Sequence, residues 1–322
     1  MSVGDEPLGR RAERQDEPLG RRAERQDEPL GRRASNSDLD ELLAILDLNQ
    51  IADDTFVGSH PSKNPVRTFG GQMLAQSFVA GSRTVSEKLP PSTISAHFIA
   101  GGDPEKDLEF HVVRLRDERR FANRRVDVMQ NGQLLTVAMI SYLSGGRGIE
   151  HCIEPPELPD PESVPPVDEL LRGYEDVVPH FVNALRPIDW RYTNDPTWVM
   201  RDKGEKLTYN RVWMKAEGTM PDDPVLNAAA LVYSSDTTVL DSIITTHGLS
   251  WGYDRIFAVT MNHTVWLHRP VHFDEWVLYS TSSPVAAESR GLGTGHFFDR
   301  SGQLLATVVQ EGIVKYFPGP KG

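Results

Sequence analysis

Two short blocks, Asn131-Gly132-Gln133-Leu134-Leu135 and Ser301-Gly302-Gln303-Leu304-Leu305, stand 170 residues apart in the chain. Each opens an apolar, strand-patterned run, the first reaching about Tyr142 and the second about Tyr316. A small polar residue followed by Gly, ahead of an apolar run, suits a hairpin turn. Before each block lies one helix-patterned segment, 70–82 in the first half and 224–240 in the second. Strand-patterned segments follow each helix, at 94–99, 108–115 and 124–129, then at 257–268, 276–282 and 294–298. One helix followed by an antiparallel meander, occurring twice, suggests an α+β unit duplicated in tandem. A sheet wrapped around one central helix is the natural way to bury that helix.

The segment between the halves has its own composition. Pro155, Pro156, Pro159, Pro161, Pro165 and Pro166 fall among acidic residues, a density that excludes a helix or a central strand and predicts an extended linker. At the other end, Asp5–Gln15 reads DEPLGRRAERQ, recurs identically over 16–26 and begins again at Asp27. Each unit has one Leu beside Pro and Gly, too little apolar area to offset the entropy of ordering. With no apolar h-region the stretch is not a signal peptide. The expected organisation is therefore a disordered repetitive tail over 1–34, a first unit over 35–149, a Pro-rich acidic linker over 150–170 and a second unit over 171–322. Order is expected to begin near Ser37, where Ser37 and Asp40 have capping spacing and Leu39, Leu42, Leu43 and Leu46 follow with helical period.

Composition removes several functions. No apolar run approaches the length of a membrane span. Cys152 is the only cysteine, so neither an intrachain disulfide nor a cysteine-rich zinc cage can form. The 34 basic and 46 acidic residues leave a net charge of −12, a field that repels a phosphate backbone and makes nucleic acid a poor partner.

Polar residues interrupt the pattern only in the second half. Val225, Ala229 and Val232 lie on one helical stripe that Asp236 continues. Either that carboxylate sits at a core position, which is costly unless it is paired or functional, or the helix ends near Ser234-Ser235 and Asp236 is solvated. In the last strand Ala306, Val308, Gln310, Gly312 and Val314 share one face, and Gln310 is its one polar side chain. The residue 170 positions earlier is Ile140, and the first helix has no acidic residue. A duplicated unit with one catalytically equipped copy would have this asymmetry; a buried amide bonded to backbone would explain Gln310 taken alone.

The chain resembles the acyl-CoA thioesterase II family of double-hotdog enzymes from about Ser37 to Tyr316. The likeness is carried by Phe69-Gly70-Gly71-Gln72, Arg124-Arg125-Val126 and Gln130-Asn131-Gly132. In the second half it is carried by Tyr233-Ser234-Ser235-Asp236, His263-Thr264-Val265-Trp266-Leu267-His268-Arg269-Pro270, Glu275-Trp276 and Val309-Gln310-Glu311-Gly312. The resemblance implies a tandem double hotdog, two antiparallel sheets each wrapped around a central helix. It implies hydrolysis of fatty acyl-CoA to fatty acid and CoA, with no cofactor or metal, by a homo-oligomer. It also implies that Asp236, Thr260 and Gln310 hold the attacking water. Thr260 has no signal of its own, because Thr260, Asn262 and Thr264 are expected to share one polar strand face. Gly70 and Gly71 are candidates for close substrate approach at a helix N-terminus. Arg119, Arg120, Arg124 and Arg125 are candidates for CoA phosphates, against the alternative of a solvated strand surface. One departure is Ala100-Gly101-Gly102, where the family often has Arg-Pro.

Other readings are weaker. Gly248-Leu249-Ser250-Trp251-Gly252 has the letters of a serine-hydrolase elbow, but that elbow joins a strand to a following helix, and here the order is reversed. His268, His272 and Asp274 lack any regular ligand spacing. A hydratase would need an Asp–His pair, and no His lies in the second helix. A non-catalytic acyl-CoA-binding hotdog is the principal alternative, which loss of Asp236, Thr260 or Gln310 would have favoured. With no peroxisomal Ser-Lys-Leu at the end of the sequence, the expected location is cytoplasmic.

Overall fold

The computed structural model describes residues 36–61, 67–178 and 188–319, with side chains from Leu39 onward. The repetitive tail and the side chain of Ser37 lie outside the described residues. Helix α1 (Asn36–Leu46) leads into strands β1 (Asn49–Ala52) and β2 (Thr55–Gly58), then helix α2 (Gly70–Ser82). Strands β3 (Pro91–Phe98), β4 (Leu108–Asp117), β5 (Phe121–Gln130) and β6 (Gln133–Leu143) complete the first half. After a short helix α3 (Val167–Leu170) come β7 (Ile188–Tyr192), α4 (Thr197–Lys203) and β8 (Tyr209–Ala216). Helices α5 (Pro224–Ser235) and α6 (Asp241–Thr246) precede β9 (Arg255–Leu267), β10 (Val277–Ala287), β11 (Arg290–Asp299) and β12 (Leu304–Phe317).

The two half-sheets are fused. All pairing is antiparallel in one 12-stranded sheet of order β1-β2-β4-β5-β6-β3-β9-β12-β11-β10-β8-β7. The seam is β3 against β9, where Ser95 pairs with Thr264 and their hydroxyls lie 2.7 Å apart. Each half wraps one central helix, which is the double-hotdog architecture. The strand after each helix does not start a simple meander; β3 pairs with β6 and β9 with β12, leaving β3 and β9 free to meet.

Helix α2 is buried at every position from Gly71 to Gly81. A helix enclosed all round has no face for a charge, which accounts for its lack of acidic residues. Its buried amides are satisfied: Gln76 Nε2 donates to Ile45 O at 2.9 Å and to Ser59 O at 3.0 Å. The repeated turn blocks do enter β6 and β12, by different turns. Asn131 and Gly132 both have positive φ (50° and 77°), as a two-residue hairpin with twisted strands requires. The β11–β12 turn is longer, closed by Asp299 Oδ1 accepting from Ser301 N at 2.8 Å and Gln303 N at 2.9 Å.

Two expectations are corrected. The proline-rich segment is not extended throughout, because Asp160 caps a 3-10 turn at Pro161–Ser163 and α3 follows Pro166. Those prolines occupy a first-turn and a capping position, where a missing N–H costs nothing. The segment is also fastened to the second half: Trp213 Nε1 donates to Pro159 O at 3.2 Å and Arg191 Nη1 to Pro161 O at 3.0 Å. The second central helix stops at Ser235 rather than running to 240. Ser234 turns its hydroxyl back onto Ala230 O at 2.7 Å, a back-bonding that weakens a helix end, and Ser235 Oγ lies 2.7 Å from Val232 O and 2.8 Å from His263 Nε2. Asp236 follows as the C-cap.

Candidate active site

The end of α5 meets the start of α2. Phe69 and Tyr233 pack edge to face with ring centroids 5.1 Å apart, and a Cβ on Gly71 would lie 2.3 Å from Tyr233 O. Only glycine permits that approach. Tyr279 fixes the same end from the sheet, its hydroxyl donating to Ser235 O at 2.8 Å.

Asp236 therefore belongs to neither of the alternatives its stripe left open. The helix does end before it, yet the carboxyl is partly buried between the two halves. A Cβ on Gly70 would lie 2.6 Å from Asp236 Oδ2, and the Gly71 backbone N–H donates to the carboxyl. Gly70 and Gly71 thus make room for Asp236 itself. Burial pushes the Asp236 pKa up to about 7, against the opposing pull of the Gln310 amide, the Gly71 N–H and the Thr260 hydroxyl.

Thr260 and Gln310 are brought to the same point. Gln310 Nε2 donates to Thr260 Oγ1 at 2.7 Å, and Thr260 Oγ1 lies 3.4 Å from Asp236 Oδ1. Gln310 is fully buried on the expected face of β12. Thr260 is not on the face expected of it. Glu311 pairs with Asn262 but Gly312 with Thr260, so Met261 is an extra residue in β9. That bulge breaks the alternation and turns Thr260 inward, while Thr264 stays on the Ser95 side. Bulges beside functional sites re-aim single side chains in this way, and no periodicity argument from the sequence could have found this one. His263, opposite Gln310, is a further buried polar residue that sequence reasoning did not single out.

The arginines do not join this cluster. Arg124 is wholly buried, which corrects its candidacy for CoA phosphate. Its guanidinium donates to Thr84 Oγ1 and O, Arg116 O, Asn123 O and Asp117 Oδ1, so its donors are committed within the fold. Thr84 lies just beyond the far end of α2, about 20 Å from Gly70 for a 13-residue helix. Arg119 and Arg120 are exposed in the β4–β5 turn, and exposed Arg125 pairs with Asp127 at 3.0 Å. Ser250 is buried in a turn closed by its N–H donating to Asp254 Oδ2 at 2.9 Å, not at an elbow. No cluster able to hold a metal exists among the described residues, and Cys152 is free and exposed.

The fold is a double hotdog, and a carboxylate, a hydroxyl and an amide gather where its two halves meet. A family model described as acyl-CoA thioesterase matches residues 181–313, and one for the acyl-CoA thioesterase N-terminal domain matches 60–143. The acyl-CoA thioesterase II TesB2 structure from Mycobacterium marinum superposes with TM-score 0.70 at 30% identity, over 87% of this chain and 99% of that one. Acyl-CoA thioesterase 2 of Haemophilus influenzae is 28% identical, covering 86% and 98% of the two chains. Human acyl-coenzyme A thioesterase 8 is 28% identical, covering 85% and 88%. The chain belongs to the acyl-CoA thioesterase II family and is a thioester hydrolase.

Proposed function

We propose that the enzyme hydrolyses fatty acyl-CoA by direct attack of a water held by Asp236, Thr260 and Gln310, with no covalent acyl-enzyme. The observation that carries this reading is the convergence of three polar side chains from α5, β9 and β12 at a point where the carboxyl has a pKa of about 7. A base with that pKa is ionised in part at neutral pH and strong enough to accept a proton from water. Asp236 takes that proton as the water oxygen bonds to the thioester carbonyl carbon. Collapse of the tetrahedral adduct breaks the C–S bond, and the proton passes to the departing sulfur. Thr260 and Gln310 orient the water, a contribution of proximity. The positive end of α2 lies beside the reacting centre, which favours the negative charge that develops there.

The same reading takes 35–149 and 171–322 as two hotdog units, with the site assembled from both, in a homo-oligomer. Retention of all three polar residues supports catalysis over passive acyl-CoA binding. The test is thiol release from short, medium and long acyl-CoAs by wild type beside Asp236→Asn. Turnover lost in the variant is expected. Turnover undiminished in it would discard Asp236 as the base, and tight binding without turnover by wild type would favour the binding protein.

A further inference from the structure

His263 lies directly opposite Gln310 on the neighbouring strand and has no exposed surface. Its Nδ1 is 2.5 Å from Gln310 Oε1, and its Nε2 is 2.8 Å from Ser235 Oγ. Gln310 Nε2 reaches Thr260 Oγ1 at 2.7 Å, and Thr260 Oγ1 stands 3.4 Å from Asp236 Oδ1. Ser235 and Asp236 are consecutive, so five side chains close a ring.

Directions within that ring are coupled. An ionised carboxylate only accepts, so the Thr260 hydroxyl points at Asp236 and offers its lone pairs to the Gln310 nitrogen. The amide oxygen must then face His263. An oxygen accepts too, so the hydrogen between them has to sit on Nδ1. Burial lowers the His263 pKa to about 4, so the ring is neutral near pH 7. Nε2 is left as an acceptor for the Ser235 hydroxyl. Ser235 has a competing acceptor, Val232 O at 2.7 Å. A hydroxyl turned to that carbonyl would require a hydrogen on Nε2, leave Nδ1 bare and reverse the Gln310 amide.

We infer that His263 is a positioning residue: its Nδ1–H tautomer, set with Ser235, holds the Gln310 nitrogen toward Thr260 and Asp236. The role rests on the hydrolytic reading of that site, since it acts on the water only through Gln310.

The tautomer is read directly from the two-bond proton–nitrogen correlation spectrum of wild-type enzyme labelled with ¹⁵N-histidine at pH 8. The ten histidines are sorted by comparison with His263→Asn. Nδ1-protonated, neutral His263 is expected; an Nε2-protonated ring would overturn the proposal. In kinetics, His263→Phe removes the donor and is expected to lower kcat about 10- to 100-fold with KM nearly unchanged, the penalty of a misplaced orienting group. His263→Asn, whose carboxamide N–H can stand near the position of Nδ1–H, is expected to restore most of that loss. A folded His263→Phe with wild-type kcat would overturn the role, as would a His263→Asn no better than Phe. If neither variant folds, sequential backbone assignment of the wild-type enzyme identifies the His263 signals, and their tautomer decides. Undiminished turnover in Asp236→Asn would discard the Asp236 site and this role together, whereas full dependence on Asp236 with no dependence on His263 would remove this role alone.

Discussion

Gln310 in β12 lies opposite Gly293 in β11, and Ile140 in β6 lies opposite Arg124 in β5. These are corresponding places in the two halves, each against the end of its central helix. In the second half the glycine lets Val239 approach, a Cβ there coming within 2.7 Å of its side chain. In the first half Arg124 fills the space and ties itself to Thr84. One copy of the fold keeps a polar cluster there, and the other seals the equivalent region with an arginine and an isoleucine. The sealed half is still needed, because it supplies the start of α2 against which Asp236 rests. In the proposed mechanism duplication divides the work: one half carries the three polar side chains that hold the water and the other a helix terminus.

The largest effect that tests this division is loss of the base. Asp236→Asn is expected to lower kcat/KM by about 10²–10⁴-fold, the range of general acid–base contributions, as measured by thiol release. Making the second half resemble the first, with Gln310→Ile, is expected to cost about 10²-fold by freeing the water. The reciprocal Ile140→Gln should leave kcat unchanged, since Ile140 packs at Gly81, at the end of α2 away from Asp236. A Gln310→Ile enzyme with normal turnover would break the comparison.

The pH profile tests the same site. In the proposed mechanism Asp236 acts when ionised, so kcat/KM is expected to rise with pH, tenfold per unit well below about 7, and to level above that value. A profile flat between pH 5 and 9 would assign the base elsewhere.

What the sequence revealed of this asymmetry depended on how local each signal was. Helix α2 was legible to the residue because paired glycines and a largely apolar segment free of charged residues mark its start and body. Gln310 stood out because alternation holds along β12. Asp236 drew notice for the right reason, yet its setting depends on a terminus from 165 residues away, which no stripe can encode. Thr260 was masked by the bulge at Met261, and His263 by a strand already rich in polar residues. Strands β1 and β2 at one end of the sheet, four residues each, are too short for a period to register. Arg124 misled because charge is ordinarily solvated, whereas here the backbone carbonyls and Asp117 satisfy it inside the fold.

Arg124 offers the next test, now of stability. Arg124→Met should cost about 2 kcal/mol, because three part-buried carbonyls lose their donor while exposed Asp117 regains water. Its KM for acyl-CoA should stay near that of wild type. A stable variant with a greatly raised KM would return Arg124 to the substrate.

The smallest effect separates a carboxyl that is buried from one that is used. Asp241, at the start of α6, has its pKa pushed up by burial to about 7, the value Asp236 has, and accepts from Trp251 Nε1 at 2.6 Å. It is not among the groups gathered at Asp236, so Asp241→Asn should leave kcat within about twofold of wild type. Its folded pKa lies above the unfolded value. Its contribution to stability is therefore complete below the ordinary carboxylate range and is lost as pH rises through about 7. Asparagine keeps an acceptor for Trp251 and removes the ionisation, so the variant should gain about 2–4 °C in Tm at pH 8 and nothing at pH 4. A fall in kcat comparable to that of Asp236→Asn would mean that the elevated pKa, rather than the junction with α2, marks the working carboxylate.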